Sequence, residues 1–243
     1  MALHCPGRGQ FACQSGNRSD RRAGVNADPS DTLPPEAELA LAWSRPEVRG
    51  TLMAALHLDR RLGRIVARTR EPMLGQMRLA WWREALGKPV AERPRGDAVL
   101  DAIGVHWCGR EAALVNLVDA WEIFVTTKAL GPKEAVSFGE GRGAFFGAMA
   151  VTGDAAIVQR LAAAGFRWAL ADAATAISDA EERAAVIGAG LSCGGTTGRM
   201  PASFRGLAVL DALASRALRR GGMPLMEGRM APLTALRAAI FRA

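Results

Sequence analysis

Three arginines recur one helical turn apart in the first third of the chain, at Arg60, Arg64 and Arg68. Residues four apart lie on the same face of an α-helix, so the three guanidinium groups would form one row. A guanidinium can pair with phosphate oxygens directly, without a bridging metal ion. The row therefore predicts either an anion-binding surface or a solvated basic face beside the apolar side of its helix.

Acidic residues that could hold a metal ion are scattered rather than paired. Magnesium prefers oxygen ligands, and two carboxylates four residues apart would present them on one helical face. Asp172 and Asp179 are seven residues apart, and a capping pattern at Ser178 predicts a helix break between them. Asp119 and Glu122 share another helix. They either line a cavity, where they bind a cation or orient arginines, or lie paired or solvated on the surface.

Two pairs of adjacent aromatic residues are candidates for a cavity wall. Trp81 and Trp82 lie about 100° apart around a helix, so we expect one in the core and the other in a cavity or on a partner surface. Phe145 and Phe146 carry the same ambiguity. We assign Trp82, Phe146 and Asp172 to the cavity, together with Asp119 and Glu122.

The elements that carry these residues are predicted to be helices. Apolar residues recur with a period of 3.6 from Glu36 onward, and valine and isoleucine do not alternate as in strands. The pattern predicts a first helix that ends near Trp43 and further helices that begin at Ser44 and at Pro72. Helices should also cover about 97–107 and about 133–150, and two more should begin at Asp154 and at Ser178. The last of these should end near Ile187, followed by an irregular stretch over 188–203 and helices near 204–219 and 231–242. We therefore predict an all-α domain over 35–243.

Composition limits the partners of this domain. The formal net charge of +7 favours anionic partners, but it is dispersed along the chain, so we expect no nucleic-acid role. The four cysteines match neither a zinc ribbon nor a C-x-x-C pair. The sequence contains no run of about 18 apolar residues, so it predicts no transmembrane helix. We expect a cytoplasmic location, with peripheral membrane contact left open, and a disordered extension over residues 1–34.

One segment resembles a known family. Residues 70–86, with the sequence REPMLGQMRLAWWREAL, are similar to a stretch of the squalene/phytoene synthase family, and most similar to its bacterial branch related to a mitochondrial complex I assembly factor. Further segments agree with the family in order and spacing. They are Pro46–Arg49, Leu117–Glu122, Phe204–Leu210 and Pro232–Arg242. The resemblance covers residues 36–242 and implies the all-α isoprenoid-synthase fold.

Active members of that family carry two aspartate-rich helices that face each other across a cavity. Their carboxylates hold Mg²⁺, and Mg²⁺ neutralises the diphosphate that leaves a prenyl substrate. This chain departs from both motifs. The first motif aligns with Gly63, Arg64 and Ala67, and the second with Ala176 and Ala180.

The resemblance leaves two functions open. The first is a non-catalytic member that binds a prenyl diphosphate, a lipid or a protein partner, in an assembly-type role and without a cofactor. The second is an active, Mg²⁺-dependent prenyl transferase with divergent metal ligands. The missing aspartates favour the first.

Overall fold

The computed structural model describes residues 32–69, 71–151, 153–194 and 198–241. These ranges hold α-helices, two short 3₁₀ turns and no β-strand, which confirms the predicted all-α class. The helices are α1 (Pro35–Trp43), α2 (Pro46–Arg68), α3 (Pro72–Gly87), α4 (Ala98–His106), α5 (Ala112–Thr126), α6 (Pro132–Ala148), α7 (Ala155–Ala176), α8 (Ala180–Ser192), α9 (Arg205–Arg219) and α10 (Ala231–Phe241).

The expected extension falls mostly outside the described residues. Residues 1–31 are not among them. Thr32, Leu33 and Pro34, which we assigned to the extension, lead into α1, and the side chain of Leu33 is buried in the core. The packed domain therefore begins a few residues before Pro35.

Helix starts follow two chemical rules. A proline, which needs no hydrogen-bond acceptor for its nitrogen, occupies the first turn of α1, α2, α3 and α6. Aspartate side chains cap α4, α7 and α8. The predicted cap at Asp154 is confirmed, since its carboxylate accepts from the N–H groups of Ala156 and Ile157 at 2.9 and 3.3 Å.

Two predicted caps were wrong. The hydroxyl of Ser44 donates to the carbonyl of Ala40 at 2.8 Å, so it closes the end of α1 instead of starting α2. At α8 the neighbouring Asp179 takes the capping role from Ser178, and its carboxylate accepts two backbone N–H groups. A carboxylate also interacts more favourably than a hydroxyl with the positive end of the helix dipole.

Helix α8 is longer than its sequence predicts. We expected it to end near Ile187, before an irregular stretch over 188–203. It continues to Ser192, and a side chain from α9 covers a glycine within it: a Cβ on Gly190 would lie 2.7 Å from Leu218 Cδ1. This packing offsets the low helix propensity of glycine.

The core includes the region where the apolar stripe of α2 meets α4 and α5. The periodicity predicts a stripe of Leu52, Ala55, Leu58, Leu62 and Ile65; the first four are fully buried, and Ile65 is half-buried. Helices α6 and α7 touch through their backbones at Gly143 and Gly165. A Cβ on Gly143 would lie 2.4 Å from the carbonyl carbon of Gly165. This close approach holds Arg142, the residue before Gly143, against α7.

The helices within the described ranges also bear on membrane insertion. None of them is both long and apolar enough to cross a membrane.

Candidate functional site

A cavity of about 940 Å³ lies between α2 and α7 and is bordered by the chain that leads into α1. A volume of this size accommodates a drug-sized or lipid-sized molecule. The cavity has apolar and charged walls. Its lining includes Leu33, Pro35, Leu56, Asp59, Arg60, Gly63, Arg64, Ala67, Arg68, Trp121, Phe124, Arg142, Trp168, Asp172, Thr175, Ala176 and Ile177.

The arginine row lies on the α2 wall of this cavity. Arg60, Arg64 and Arg68 all line it, as the four-residue spacing requires. Arg60 and Arg68 are exposed, and Arg64 is half-buried. Their position beside the cavity is a structural fact, and their binding of an anion stays a prediction.

A fourth arginine, Arg142 of α6, lies at the floor of the cavity and is the centre of its polar network. Its side chain is only 3% exposed. Nε and Nη2 donate to the two oxygens of Asp59 on α2, at 2.8 and 2.7 Å. Nη2 also donates to Asp172 Oδ2 on α7 at 2.6 Å, and Nη1 donates to the carbonyl of Ala169 at 3.1 Å. One guanidinium therefore connects three helices.

Aromatic rings enclose the same guanidinium. Its central carbon lies 4.6 Å from the ring centroid of Trp168 and 4.8 Å from that of Trp121. Both distances are within the range of a cation–π interaction. The indole N–H of Trp121 donates to Asp59 Oδ1 at 2.8 Å, so it helps to hold the carboxylate that pairs with Arg142.

The network keeps Arg142 charged. Burial by itself disfavours the charged guanidinium, but the carboxylates of Asp59 and Asp172 outweigh it and raise the pKa of Arg142 above its usual value. A buried cation of this kind is stable only with such partners.

Glu36 of α1 adds a buried ionisable group near the cavity. Burial raises the pKa of its carboxyl above the usual range. The nearby Asp172 raises the pKa further, whereas the hydrogen bond from its own backbone N–H and the charge of Arg60 oppose the increase. The acid therefore lies between like and opposite charges contributed by α7 and α2.

The residues at this site do not fit a divalent metal ion. Both oxygens of Asp59 accept hydrogen bonds from Arg142, and one also accepts from Trp121. Asp172 directs one oxygen to the same guanidinium. Within the described ranges, no three acidic, histidine or cysteine side chains lie close enough together to hold a metal ion.

The positions at which the resemblance led us to look for aspartates explain this misfit. A Cβ on Gly63 would lie only 3.0 Å from Trp121 Cη2, so an indole ring occupies the space of the expected carboxylate. Arg64 contributes a cation. Ala176 lines the cavity but has no ligand atom in its side chain, and Ala180 starts α8.

Two residues expected in the cavity lie elsewhere. Asp119 and Glu122 face α3, where Arg83 donates to them at 2.7 and 2.5 Å. Neither belongs to the described lining of the cavity. They form a partly exposed ion cluster with Arg83. The side of α5 that carries these two acids faces α3, whereas the side that carries Trp121 faces α2.

Trp82 and Phe146 are core residues. The ring of Trp82 is 4% exposed and meets that of Trp81 edge to face, whereas Trp81 is 42% exposed. Phe146 is fully buried and stacks on Trp168 with a centroid distance of 5.3 Å. Phe146 therefore supports a cavity wall from behind instead of forming it. Asp172 lies in the cavity lining.

Sequence reasoning missed the two central residues, Asp59 and Arg142. A usable signal was present, because each interrupts an apolar helical stripe. Asp59 lies between Leu58 and Leu62, and Arg142 lies four residues from both Phe138 and Phe146. A charge on a buried helical face needs a buried partner of opposite sign. Pairing these two interruptions would have joined α2 to α6.

Comparisons with known proteins give no relative. No family model, no curated protein and no solved structure matches the chain.

Proposed function

We propose that this chain is a non-catalytic relative of the squalene/phytoene synthases that binds an amphiphilic anion, of the prenyl diphosphate class, without a divalent metal. The observation that carries the proposal is the bridge from Asp59 through Arg142 to Asp172. Active members of the family hold metal between two acidic helices, whereas here a guanidinium bridges the acids of α2 and α7.

The bridge supports a metal-independent site because it occupies the ligand atoms. A metal ion would have to displace a buried, bidentate arginine that also contacts two indole rings. Removing such a partner leaves a buried charge uncompensated, which costs about 3–5 kcal/mol. Hydrated Mg²⁺, which would have to compete with Arg142 for these carboxylates, also loses its bound water reluctantly.

The walls of the cavity support an amphiphilic ligand. Leu56, Phe124 and Ile177 provide apolar surface that suits a hydrocarbon chain. Arg60, Arg64 and Arg68 provide donors along one wall that suit phosphate oxygens. A ligand with one apolar and one anionic end would satisfy both walls at once.

The same features weigh against an active prenyl transferase. When a prenyl diphosphate ionises, negative charge develops on the oxygens of the leaving diphosphate, and metal ions neutralise it in active relatives. Arginines on the cavity wall can bind a diphosphate, but the acids that would place metal beside it are engaged with Arg142. The expected cytoplasmic location stays a prediction.

Calorimetric titration of the full-length protein in EDTA tests the proposal. We expect farnesyl diphosphate to bind, and farnesol and inorganic pyrophosphate to bind much more weakly, because each lacks one of the two recognised ends. No release of pyrophosphate should follow, with or without Mg²⁺. Turnover in Mg²⁺, or equal binding of pyrophosphate alone, would refute the proposal.

A further inference from the structure

A second cavity, of about 370 Å³, lies where α8 ends between α7 and α9. It borders a different face of α7 from the larger cavity, and the two linings share no described residue. The charged side chains in its described lining are those of Arg160, Arg167, Arg219 and Asp211. Because three arginines lie against one acid, the cavity carries a net positive charge, which favours an anionic ligand.

Regular helical spacing places these side chains on the walls of the smaller cavity. Arg160 and Arg167 are two turns apart on α7, whereas Asp211, Ser215 and Arg219 follow one another in steps of four residues on α9. The two helices pack directly against each other. Both walls therefore belong to packed helices, which can present a binding site with little rearrangement.

Arg167 neutralises the acid of the smaller cavity. Its side chain is 7% exposed, and its Nε donates to Asp211 Oδ1 at 2.7 Å. Its Nη1 donates to the carbonyl of Gly194 at 3.2 Å and lies 3.5 Å from Cys193 Sγ, just beyond the last turn of α8. The one carboxylate in the described lining is thus engaged by a buried guanidinium. Its charge does not cancel those of the two outer arginines.

Arg160 and Arg219 supply the uncompensated charge. Within the described residues, no carboxylate forms an ion pair with either of them. The Nη1 group of Arg160 donates to the carbonyl of Arg199, and a Cβ on Gly198 would lie 3.4 Å from Arg160 Cζ. These contacts restrict the guanidinium of Arg160, so less side-chain entropy is lost when a ligand binds. Arg219 is exposed and approaches the cavity from α9.

We infer that the smaller cavity binds a compact phosphate dianion, either inorganic phosphate or the phosphate group of a small monoester. Guanidinium groups pair with phosphate oxygens through charge-assisted hydrogen bonds, and two such groups match the two charges of the ligand. The hydroxyl of Ser215, in the same lining, can donate to a further phosphate oxygen. A volume of 370 Å³ is at the small end of ligand sites, which suits phosphate with a small organic group.

This inference goes beyond the proposed function, because it concerns a separate cavity and a ligand without a hydrocarbon chain. Calorimetric titration of the full-length protein with inorganic phosphate and with glycerol 3-phosphate, at constant ionic strength, tests it. We expect at least one of them to bind, and the tighter one identifies the free ion or the monoester as the ligand. The double variant Arg160→Gln/Arg219→Gln should lose about ten-fold or more in affinity.

Two single variants are the controls for this titration. Arg220→Gln removes an exposed arginine next to Arg219 that lies outside the described lining, and Arg64→Ala alters the larger cavity. Both should bind phosphate as the unchanged protein does. The double variant should retain binding of farnesyl diphosphate if the proposed function holds, so the two proposals can fail separately. Phosphate affinity that falls in Arg64→Ala and not in the double variant would assign the anion to the larger cavity and overturn the inference.

The thiol of Cys193 provides a local test, since it is half-buried and lines the smaller cavity. Bound phosphate should slow its alkylation by iodoacetamide several-fold, measured by mass spectrometry of the digested protein. Cys108 is exposed and lies outside the described lining, so its rate should not change. The double variant should lose the protection of Cys193. Equal effects on both cysteines, protection that survives in the double variant, or no binding of either probe would overturn the inference.

Discussion

Arg142 and Asp59 meet through two parallel hydrogen bonds, Nε to Oδ1 at 2.8 Å and Nη2 to Oδ2 at 2.7 Å, although 83 positions separate them in the chain. This bidentate pair is buried and joins α6 to α2 across the floor of the cavity. Bidentate pairing fixes both the distance and the plane of the two groups. It therefore sets how the two helices that carry the site face each other.

Replacing Arg142 by methionine should destabilise the fold by about 3–5 kcal/mol, because Asp59 would remain buried without its partner. Urea denaturation would measure this loss. Adding Asp59→Asn to Arg142→Met should recover part of it, since the double variant leaves no buried charge.

A matched surface cluster provides the control for that prediction. Arg83 also pairs with two acids, Asp119 and Glu122, but its side chain is 35% exposed. Arg83→Met should cost at most about 1 kcal/mol, because solvent screens exposed ion pairs. Equal losses for Arg83→Met and Arg142→Met would contradict a special role for the buried bridge.

Introducing an acid at Gly63 should not create a metal site. The Gly63→Asp side chain would begin 3.0 Å from the ring of Trp121, which is held by its bond to Asp59. We expect a loss of about 1–3 kcal/mol from overpacking and no gain in Mg²⁺ binding. A glycine with open space around it, Gly188 in α8, is the control: Gly188→Asp should change stability by about 0.5 kcal/mol or less. Mg²⁺-dependent stabilisation of Gly63→Asp would show that the indole gives way.

Glu36 should make stability depend on pH in a defined direction. Its pKa is raised in the folded state, so its contribution to stability is fully present below the unfolded pKa of about 4.3 and is lost as pH rises through the folded pKa. Glu36→Gln cannot lose a proton, so its stability relative to the unchanged protein should increase across that window and then level off. Denaturation at several pH values measures the difference, with Glu38→Gln, exposed in the same turn, as the control. A difference that falls with pH would be the wrong sign.

The helices could be predicted from the sequence because their signals are local. Prolines at first turns, the cap at Asp154 and the stripe from Leu52 to Leu62 depend on residues within a few positions of each other. The placement of Arg60, Arg64 and Arg68 on one wall follows from the same local periodicity.

The centre of the site could not be predicted in this way because it depends on distant pairs. Whether Asp119 faces a cavity or an arginine is decided by how α5 packs against α3, and periodicity on α5 gives no information about that neighbour. The pairing of Asp59 with Arg142 likewise depends on the close approach of α6 and α7 at Gly143 and Gly165. The resemblance itself directed attention to Gly63 and Ala176, each one turn beyond the acid that faces the cavity.

The affinity for farnesyl diphosphate, measured by calorimetry in EDTA and again in Mg²⁺, tests metal-independent anion binding most directly. We predict equal affinity in the two buffers, weakening with salt, and a loss of about 1–3 kcal/mol in Arg64→Ala from a missing charge-assisted hydrogen bond. Arg220→Ala, at an exposed arginine that follows α9 and lies outside the described cavity lining, should bind as the unchanged protein does. Binding that requires Mg²⁺ and is unaffected by Arg64→Ala would contradict the proposed function and favour an active, metal-dependent enzyme.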